Sequence, residues 1–141
     1  MKPQTSALLD KARELLSRAD TMFDIGLNED AGRTAYLAGL HAGQAFIFES
    51  TGRVFRKHSG VQREFARLAK NEPSFDPDLR TFLARTYSLK AIADYETGPG
   101  ARVSAESARA AIETARRFVE HVIALIPPNS SVPRVPDEPK P

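Results

Sequence analysis

The sequence contains no cysteine, which excludes disulfide bonds and metal sites built on thiolates. It has only three histidines, at positions 41, 58 and 121, too few and too scattered to predict a metal site. It also lacks a glycine-rich phosphate loop, a catalytic serine elbow and a zinc-protease helix. We therefore predict neither a bound metal nor a cofactor.

Long apolar runs are missing as well. No segment approaches the roughly 18 apolar residues of a membrane span, and the N-terminus has no apolar core of a secretory signal. These features lead us to expect a cytoplasmic protein. The 141 residues suffice for one domain with a single core, and the net charge of +2 allows an anionic partner without demanding one.

The segment 31–51 is the part around which the chain is organised. It predicts a helix that is apolar on nearly every side, and such a helix is usually buried inside a bundle. Gly32, Gly39 and Gly43 lie within it, and each costs roughly 1 kcal/mol relative to alanine in a helix. We therefore expect a neighbouring backbone to approach closely there.

Helices on both sides of this segment are indicated by apolar residues spaced three and four apart. The first is expected from about Thr5 to Ile25, with Thr5 or Ser6 as its cap and Gly26 just past its end. Asn28 is expected to cap the central helix. The short connection predicts that these two helices are antiparallel.

Three more helices follow. The third is expected to start at Ser59, where Ser59 and Gln62 have the spacing of a capping box. Asp76 and Pro77 open the fourth, and Ser104 caps the fifth.

Together these segments predict an all-α fold, an up-and-down antiparallel bundle of about five helices. The bundle is expected to occupy residues 1–126. The final stretch 127–141 is rich in proline and poor in apolar bulk, which predicts a disordered tail.

Arg33 and His41 interrupt the apolar surface of the central helix and give the first hint of a site. An unpaired Arg33 would be costly to bury, so it either pairs with Asp94 of the fourth helix or uses its guanidinium fork for a phosphate. Lys90 and Asp94 are four residues apart and predict an ion pair on one helix face. His41 is most simply a hydrogen-bonded core residue.

His58 follows Arg56 and Lys57 at the expected start of the third helix. Helix N-termini bind anions through their free amides and the helix dipole, and an imidazole beside such a pocket is suited to acid–base cleavage of RNA. A solvated basic loop is the simpler alternative.

Three motifs, in this order, resemble those of the HEPN-domain family. The residues RTAY at 33–36, leading into LHA at 40–42, resemble its second helix. The run KHSGV at 57–61 resembles its KxHSGV segment, and KAIADY at 90–95 its RxxADY signature. The resemblance covers nearly the whole chain except the proline-rich stretch.

The resemblance implies a helical bundle that binds nucleotides or RNA, frequently as a homodimer. It is closest to the small HEPN proteins often encoded beside a minimal nucleotidyltransferase. Many members resemble metal-independent ribonucleases, and paired ones behave as toxins that the nucleotidyltransferase partner holds in check.

The chain departs from the family at informative places. The nuclease members carry an arginine followed shortly by a histidine late in the bundle, and the corresponding region 85–95 contains no histidine. Arg53 and His58 have that spacing, but they lie in the connector before the third helix. Lys90 stands where the RxxADY signature has arginine, and Leu37 stands where the family's second helix has a second tyrosine.

Three functional hypotheses stay open: a nucleotide- or RNA-binding module acting with a nucleotidyltransferase, a metal-independent ribonuclease in which His58 is catalytic, and a non-catalytic adaptor that acts through a dimer or partner interface. In the first, two basic residues hold phosphate, Asp94 orients them, and tyrosines stack or donate hydrogen bonds. The predicted binding residues are Arg33, Tyr36, His41, Lys57, His58, Lys90, Asp94 and Tyr95.

Overall fold

The computed structural model describes residues 1–98 and 102–127. These residues form five helices: α1 (Pro3–Asp24), α2 (Asn28–Thr51), α3 (His58–Ala69), α4 (Pro77–Tyr95) and α5 (Ala105–Leu125). They contain no strand, so the predicted all-α bundle is confirmed. None of these helices is long and apolar enough to cross a membrane. The tail predicted over 127–141 lies, except for its first residue, outside the described residues.

α2 is the axis of the bundle and contacts all four other helices. An ideal Cβ on Gly39 would overlap the ring of Phe82, and one on Gly43 would lie 3.1 Å from Leu83. Close packing at the glycines is therefore present as expected. The space is filled by side chains of α4, however, and not by a neighbouring backbone, because the bulky residues of α4 insert against the small residues of α2.

Aromatic rings fill one part of the core. Phe65 of α3 lies 5.1 Å, centroid to centroid, from both Phe75 and Phe118. Phe82 of α4 stacks on Phe118 at 5.5 Å, and Phe46 of α2 meets Phe65 edge to face. Such pairs add about 0.5–1.5 kcal/mol beyond the area they bury. This cluster holds α3, α4 and α5 against the central helix.

The first two helices begin differently from the sequence prediction. α1 starts at Pro3 with Lys2 as the flanking residue, so neither Thr5 nor Ser6 is its cap. Thr5 is buried, and its hydroxyl instead donates to Oε1 of Glu49 at 2.8 Å, which joins the start of α1 to the end of α2. Asn28 is likewise inside α2, whose flanking residue is Leu27.

The capping box predicted at Ser59 is also wrong. α3 begins one residue earlier, at His58, and its flanking residue Lys57 makes no side-chain cap. The other two predicted caps are confirmed, because Asp76 accepts from the amide of Leu79 and Ser104 from that of Ser107. Gly26 also has the left-handed backbone expected past α1, with φ of 83°.

The connector 52–57 decides where α3 begins. The side-chain amide of Gln44 on α2 donates to the carbonyl of Phe55 at 2.9 Å. This bond holds the connector against α2, so the chain runs back along that helix after leaving its end. α3 consequently starts beside Tyr36, in the first half of α2.

Candidate functional site

The first candidate feature is a group of charged residues where α2 begins and α4 ends. Gly32 packs against Leu89 and Gly39 against Phe82, so the two helices are antiparallel and their opposite ends meet. There, Nε of Arg33 donates to Oδ1 of Asp94 at 2.7 Å.

Lys90 completes this group from one turn earlier on α4. Its Nζ lies 2.9 Å from Oδ2 of Asp94 and donates to the hydroxyl of Tyr95 at 3.2 Å. Both ion pairs predicted from the sequence are therefore present, and one carboxylate serves two cations. We call Arg33, Lys90, Asp94 and Tyr95 the charged cluster.

The charges in this cluster stabilise one another. The hydrogen bond from Lys90, aided by Arg33, holds the pKa of Asp94 below its ordinary value. The hydrogen bonds to Asp94 and Tyr95 raise the pKa of Lys90. Asp94 and Lys90 therefore keep their charges at neutral pH. With the guanidinium of Arg33, the cluster has two cations around one carboxylate, which leaves one positive charge in excess.

A second feature, the His58 network, adjoins the charged cluster. The hydroxyl of Tyr36 lies 2.8 Å from Nδ1 of His58, and the side-chain amide of Gln62 donates to the same hydroxyl at 3.2 Å. The rings of Tyr36 and His58 are stacked at 5.6 Å. Tyr87 of α4 packs against both rings, so α2, α3 and α4 all contribute to this network.

Burial shifts both titratable groups of the network. It raises the pKa of Tyr36, so the phenol stays protonated at neutral pH. Burial also lowers the pKa of His58, and the nearby charge of Lys90 lowers it further, against a smaller opposite effect from Asp94. His58 is therefore mainly neutral at physiological pH.

The charged cluster and the His58 network contain six of the eight predicted binding residues: Arg33, Tyr36, His58, Lys90, Asp94 and Tyr95. Tyr36 is fully buried, however, so its expected stacking on a ligand is excluded and its role is to hydrogen-bond His58. Tyr95 is 71% exposed and suits a stacking role. Lys57 is exposed beside His58, at the start of α3.

His41 does not join the other predicted residues. Its Nδ1 lies 2.9 Å from Oε1 of Gln44, whose amide in turn holds Phe55. Burial lowers the pKa of His41, and the charge of Lys11 on α1 adds to this effect. These contacts place His41 in a separate network, the His41 network, consisting of His41, Gln44 and the carbonyl of Phe55.

Sequence reasoning missed two members of the His58 network. Tyr87 precedes Lys90 by three residues and Asp94 by seven, a spacing that puts all three on one helix face. Gln62 follows His58 by four residues on α3 and shares its face, but its spacing from Ser59 suggested a cap. Within residues 1–98 and 102–127, no three histidine or acidic side chains are grouped closely enough to hold a metal ion.

Comparison with known proteins agrees with the fold and the motifs. A curated protein of Methanocaldococcus jannaschii, named "Putative toxin MJ0605", is 29% identical over 122 residues, which is 86% of this chain and 88% of the relative. The crystal structure of TT1696 from Thermus thermophilus covers 89% of this chain and 100% of its own, at 21% identity and a TM-score of 0.72. The model of the HEPN domain matches residues 5–125. The chain therefore belongs to the HEPN domain family.

Proposed function

We propose that this protein is a HEPN-type module that binds nucleotide or RNA phosphate at the charged cluster, and that it forms the HEPN half of a toxin–antitoxin-like pair with a minimal nucleotidyltransferase. The observation that carries the proposal is the sharing of Asp94 by Arg33 and Lys90. A structural pair needs one cation for one carboxylate. The second cation supplies the excess positive charge that a phosphate would neutralise.

Free hydrogen-bond donors support the same conclusion. Arg33 uses only Nε towards Asp94, and its two Nη groups make no hydrogen bond within the described part of the chain. Its side chain is 39% exposed, whereas that of Lys90 is 11% exposed. Arg33 is therefore the accessible donor and Lys90 the partly desolvated one, a combination suited to a bidentate phosphate contact reinforced by a second charge.

Tyr95 gives the cluster a surface for a base. Its ring lies beside Lys90 at the end of α4 and is largely exposed. Stacking of a base on an aromatic ring contributes about 1–3 kcal/mol and does not depend strongly on sequence. A nucleotide or a single-stranded RNA could therefore place phosphate on Arg33 and a base on Tyr95.

The test is binding of a labelled single-stranded RNA oligomer over a range of salt concentrations. Arg33→Ala and Lys90→Met should each weaken binding by roughly tenfold and reduce the slope of log affinity against log salt by about 1. Arg80→Ala is the matched control, because Arg80 is an exposed arginine near the other end of α4. Equal losses in all three variants would reject a site at the charged cluster, and absence of binding at low salt would favour the adaptor hypothesis.

The proposed partner rests on the name of the archaeal relative and on the motifs. Co-expression with a minimal nucleotidyltransferase encoded beside its gene should yield a complex that co-elutes in size exclusion. Light scattering of the chain alone should give twice the monomer mass if the proposed homodimer forms. Separate elution of the two proteins would reject the pairing while leaving the phosphate site open.

A second candidate is metal-independent ribonuclease activity. It is favoured by the position of His58, whose ring is half-buried against Tyr36 and whose pKa is lowered by burial and by the charge of Lys90. Incubation of a mixed RNA pool in chelator should then give cleavage that His58→Ala abolishes. Intact RNA with a folded wild type would reject this candidate, and cleavage by both proteins would exclude His58 as its catalytic residue.

A further inference from the structure

We propose that Gln62 is a positioning residue that fixes the proton of Tyr36 towards His58, so that His58 presents Nε2–H as a hydrogen-bond donor to a ligand. The tautomer of His58, with its proton on Nε2, is a property of the free protein. Its use in ligand binding rests on the proposed function. The consequence for ligand choice is specific, because the site then selects a group that only accepts hydrogen bonds, such as a phosphate oxygen.

Gln62 sets the direction of the hydrogen bond that it makes with Tyr36. Its side-chain nitrogen carries two hydrogens and no accepting lone pair, so the hydroxyl oxygen of Tyr36 must accept in their 3.2 Å contact. The single proton of that hydroxyl is then free to be donated elsewhere. The other partner of the hydroxyl is Nδ1 of His58, at 2.8 Å.

The buried phenol keeps this proton. Tyr36 is 0% exposed, and burial raises its pKa, so the hydroxyl remains a donor at neutral pH. Nδ1 of His58 therefore accepts. In a neutral imidazole, one nitrogen accepts and the other carries the proton, which places the proton of His58 on Nε2.

The charges around His58 favour this neutral form. α2 contributes Tyr36 to its surroundings, and α4 contributes Tyr87, Lys90 and Asp94. The charge of Lys90 opposes protonation more than Asp94 favours it. Nε2 makes no hydrogen bond to any residue in 1–98 or 102–127, and the ring is only half-buried.

The charged cluster and the His58 network together form a surface of hydrogen-bond donors. Nε2–H of His58, the free Nη groups of Arg33 and the ammonium of Lys90 are all donors. An RNA 2′-hydroxyl needs a base to take its proton, but Nε2 is already protonated and Nδ1 is occupied by Tyr36. In this tautomer His58 donates to an anion and has no free lone pair with which to take a proton, so the ribonuclease candidate would require the other tautomer.

The experiment is long-range 1H–15N NMR of the full, ligand-free chain at a pH where His41 and His58 are both neutral. His58 should show a protonated Nε2 and an unprotonated Nδ1. His41 is an internal control that should show the opposite tautomer, with its proton on Nδ1. The side-chain nitrogen of Gln44 donates to Phe55, so Gln44 offers only its accepting oxygen to Nδ1 of His41. A proton on Nδ1 of His58 in the wild type would overturn the proposal.

Gln62→Glu tests the role of Gln62 directly. A carboxylate only accepts, so Tyr36 should turn its proton towards residue 62 and His58 should move its own proton to Nδ1. Ala66→Glu is the matched control, because it adds the same charge at an exposed position one turn further along α3. Ala66→Glu should leave the tautomer of His58 unchanged. If Gln62 had only a structural role, Gln62→Glu would leave that tautomer unchanged as well. An unchanged tautomer in a folded Gln62→Glu protein would therefore overturn the proposal.

Titration with inorganic phosphate and with adenosine monophosphate separates this inference from the proposed function. The wild type should show a shift of the Nε2 resonance, and Gln62→Glu should bind roughly tenfold more weakly than Ala66→Glu. The predicted tautomer with no response to either probe would reject the phosphate site and retain the positioning role. Equal affinity of the two glutamate variants would reject the use of Nε2–H in binding.

Discussion

The His41 and His58 networks use similar side chains in opposite directions. In the His41 network, Gln44 donates to a backbone carbonyl and its oxygen faces Nδ1 of His41. In the His58 network, Gln62 donates to Tyr36, whose hydroxyl faces Nδ1 of the imidazole. The residue types alone therefore do not tell whether a histidine is structural or part of a site.

The surroundings distinguish the two. The His41 network ends on the backbone of the connector and holds it against α2. The His58 network ends beside Lys90 and Asp94, at a half-buried imidazole. The first network also supports the second, because the path of the connector is what brings His58 to Tyr36.

The largest expected effect comes from a substitution that pushes α4 away from α2. It should disturb the contacts of the His58 network, to which α4 contributes Tyr87, and leave those of the His41 network unchanged. Gly39→Ala should reduce the free energy of unfolding by about 3 kcal/mol. Its new methyl group would meet Phe82, which is fully buried and stacked on Phe118, so the ring has little room to move. Urea unfolding measures the loss, and the NMR signal of His58 should shift more than that of His41.

Gly32→Ala is the control for that substitution. Its methyl group would lie 3.3 Å from Cδ1 of Leu89, a side chain that can rotate away. Alanine is also favoured over glycine in a helix by about 1 kcal/mol, so stability should stay level or rise. Equal destabilisation by both substitutions would show that the contact with Phe82 does not cause the loss of stability in Gly39→Ala.

A smaller effect should come from the two glutamines. Gln44→Leu leaves the carbonyl of Phe55 and the imidazole of His41 without their partner, which should cost about 2 kcal/mol of stability. Gln62→Leu removes one donor from a hydroxyl that still has His58, so it should cost less than about 1 kcal/mol. Urea midpoints of the two variants test which substitution costs more stability. A larger loss for Gln62→Leu would contradict the assignment of the His41 network as the structural one.

Much of the fold was predictable because it rests on local patterns. The apolar spacing identified all five helices, and the glycines of the central helix indicated its tight packing. The errors at Thr5, Asn28 and Ser59 have one cause: each residue has a capping side chain, but the backbone enters the helix before it. A capping residue is recognised by its type, whereas the actual start depends on contacts such as that of Thr5 with Glu49.

The site was predictable only where its contacts are local. Lys90 and Asp94 share a helix face, and their ion pair follows from their spacing. The contact of Tyr36 with His58 depends on how the connector 52–57 folds back, which no periodicity specifies. Gln62 was missed because its amide is used by Tyr36, 26 residues away, and not by the end of its own helix.

The smallest expected effect is a dependence of stability on pH to which both networks contribute. His41 and His58 have pKa values below the ordinary 6.5, chiefly because burial disfavours the charged imidazole. In the unfolded chain both should titrate near the ordinary value. As the pH falls through that value, the unfolded state therefore binds more protons than the folded state. Stability is therefore complete above about pH 6.5 and declines as the pH falls towards the folded-state pKa values.

Carboxylates do not obscure this window, because Glu49 and Asp94 start from ordinary pKa values of 4.5 and 3.8 and are lowered further in the fold. Urea unfolding should thus give a lower free energy at about pH 5.5 than at about pH 8. His41→Leu and His58→Leu should each flatten part of this change, since each removes one titrating group. If His41→Leu alone removed all of it, His58 would have the same pKa folded and unfolded, and burial beside Lys90 would not be acting on it.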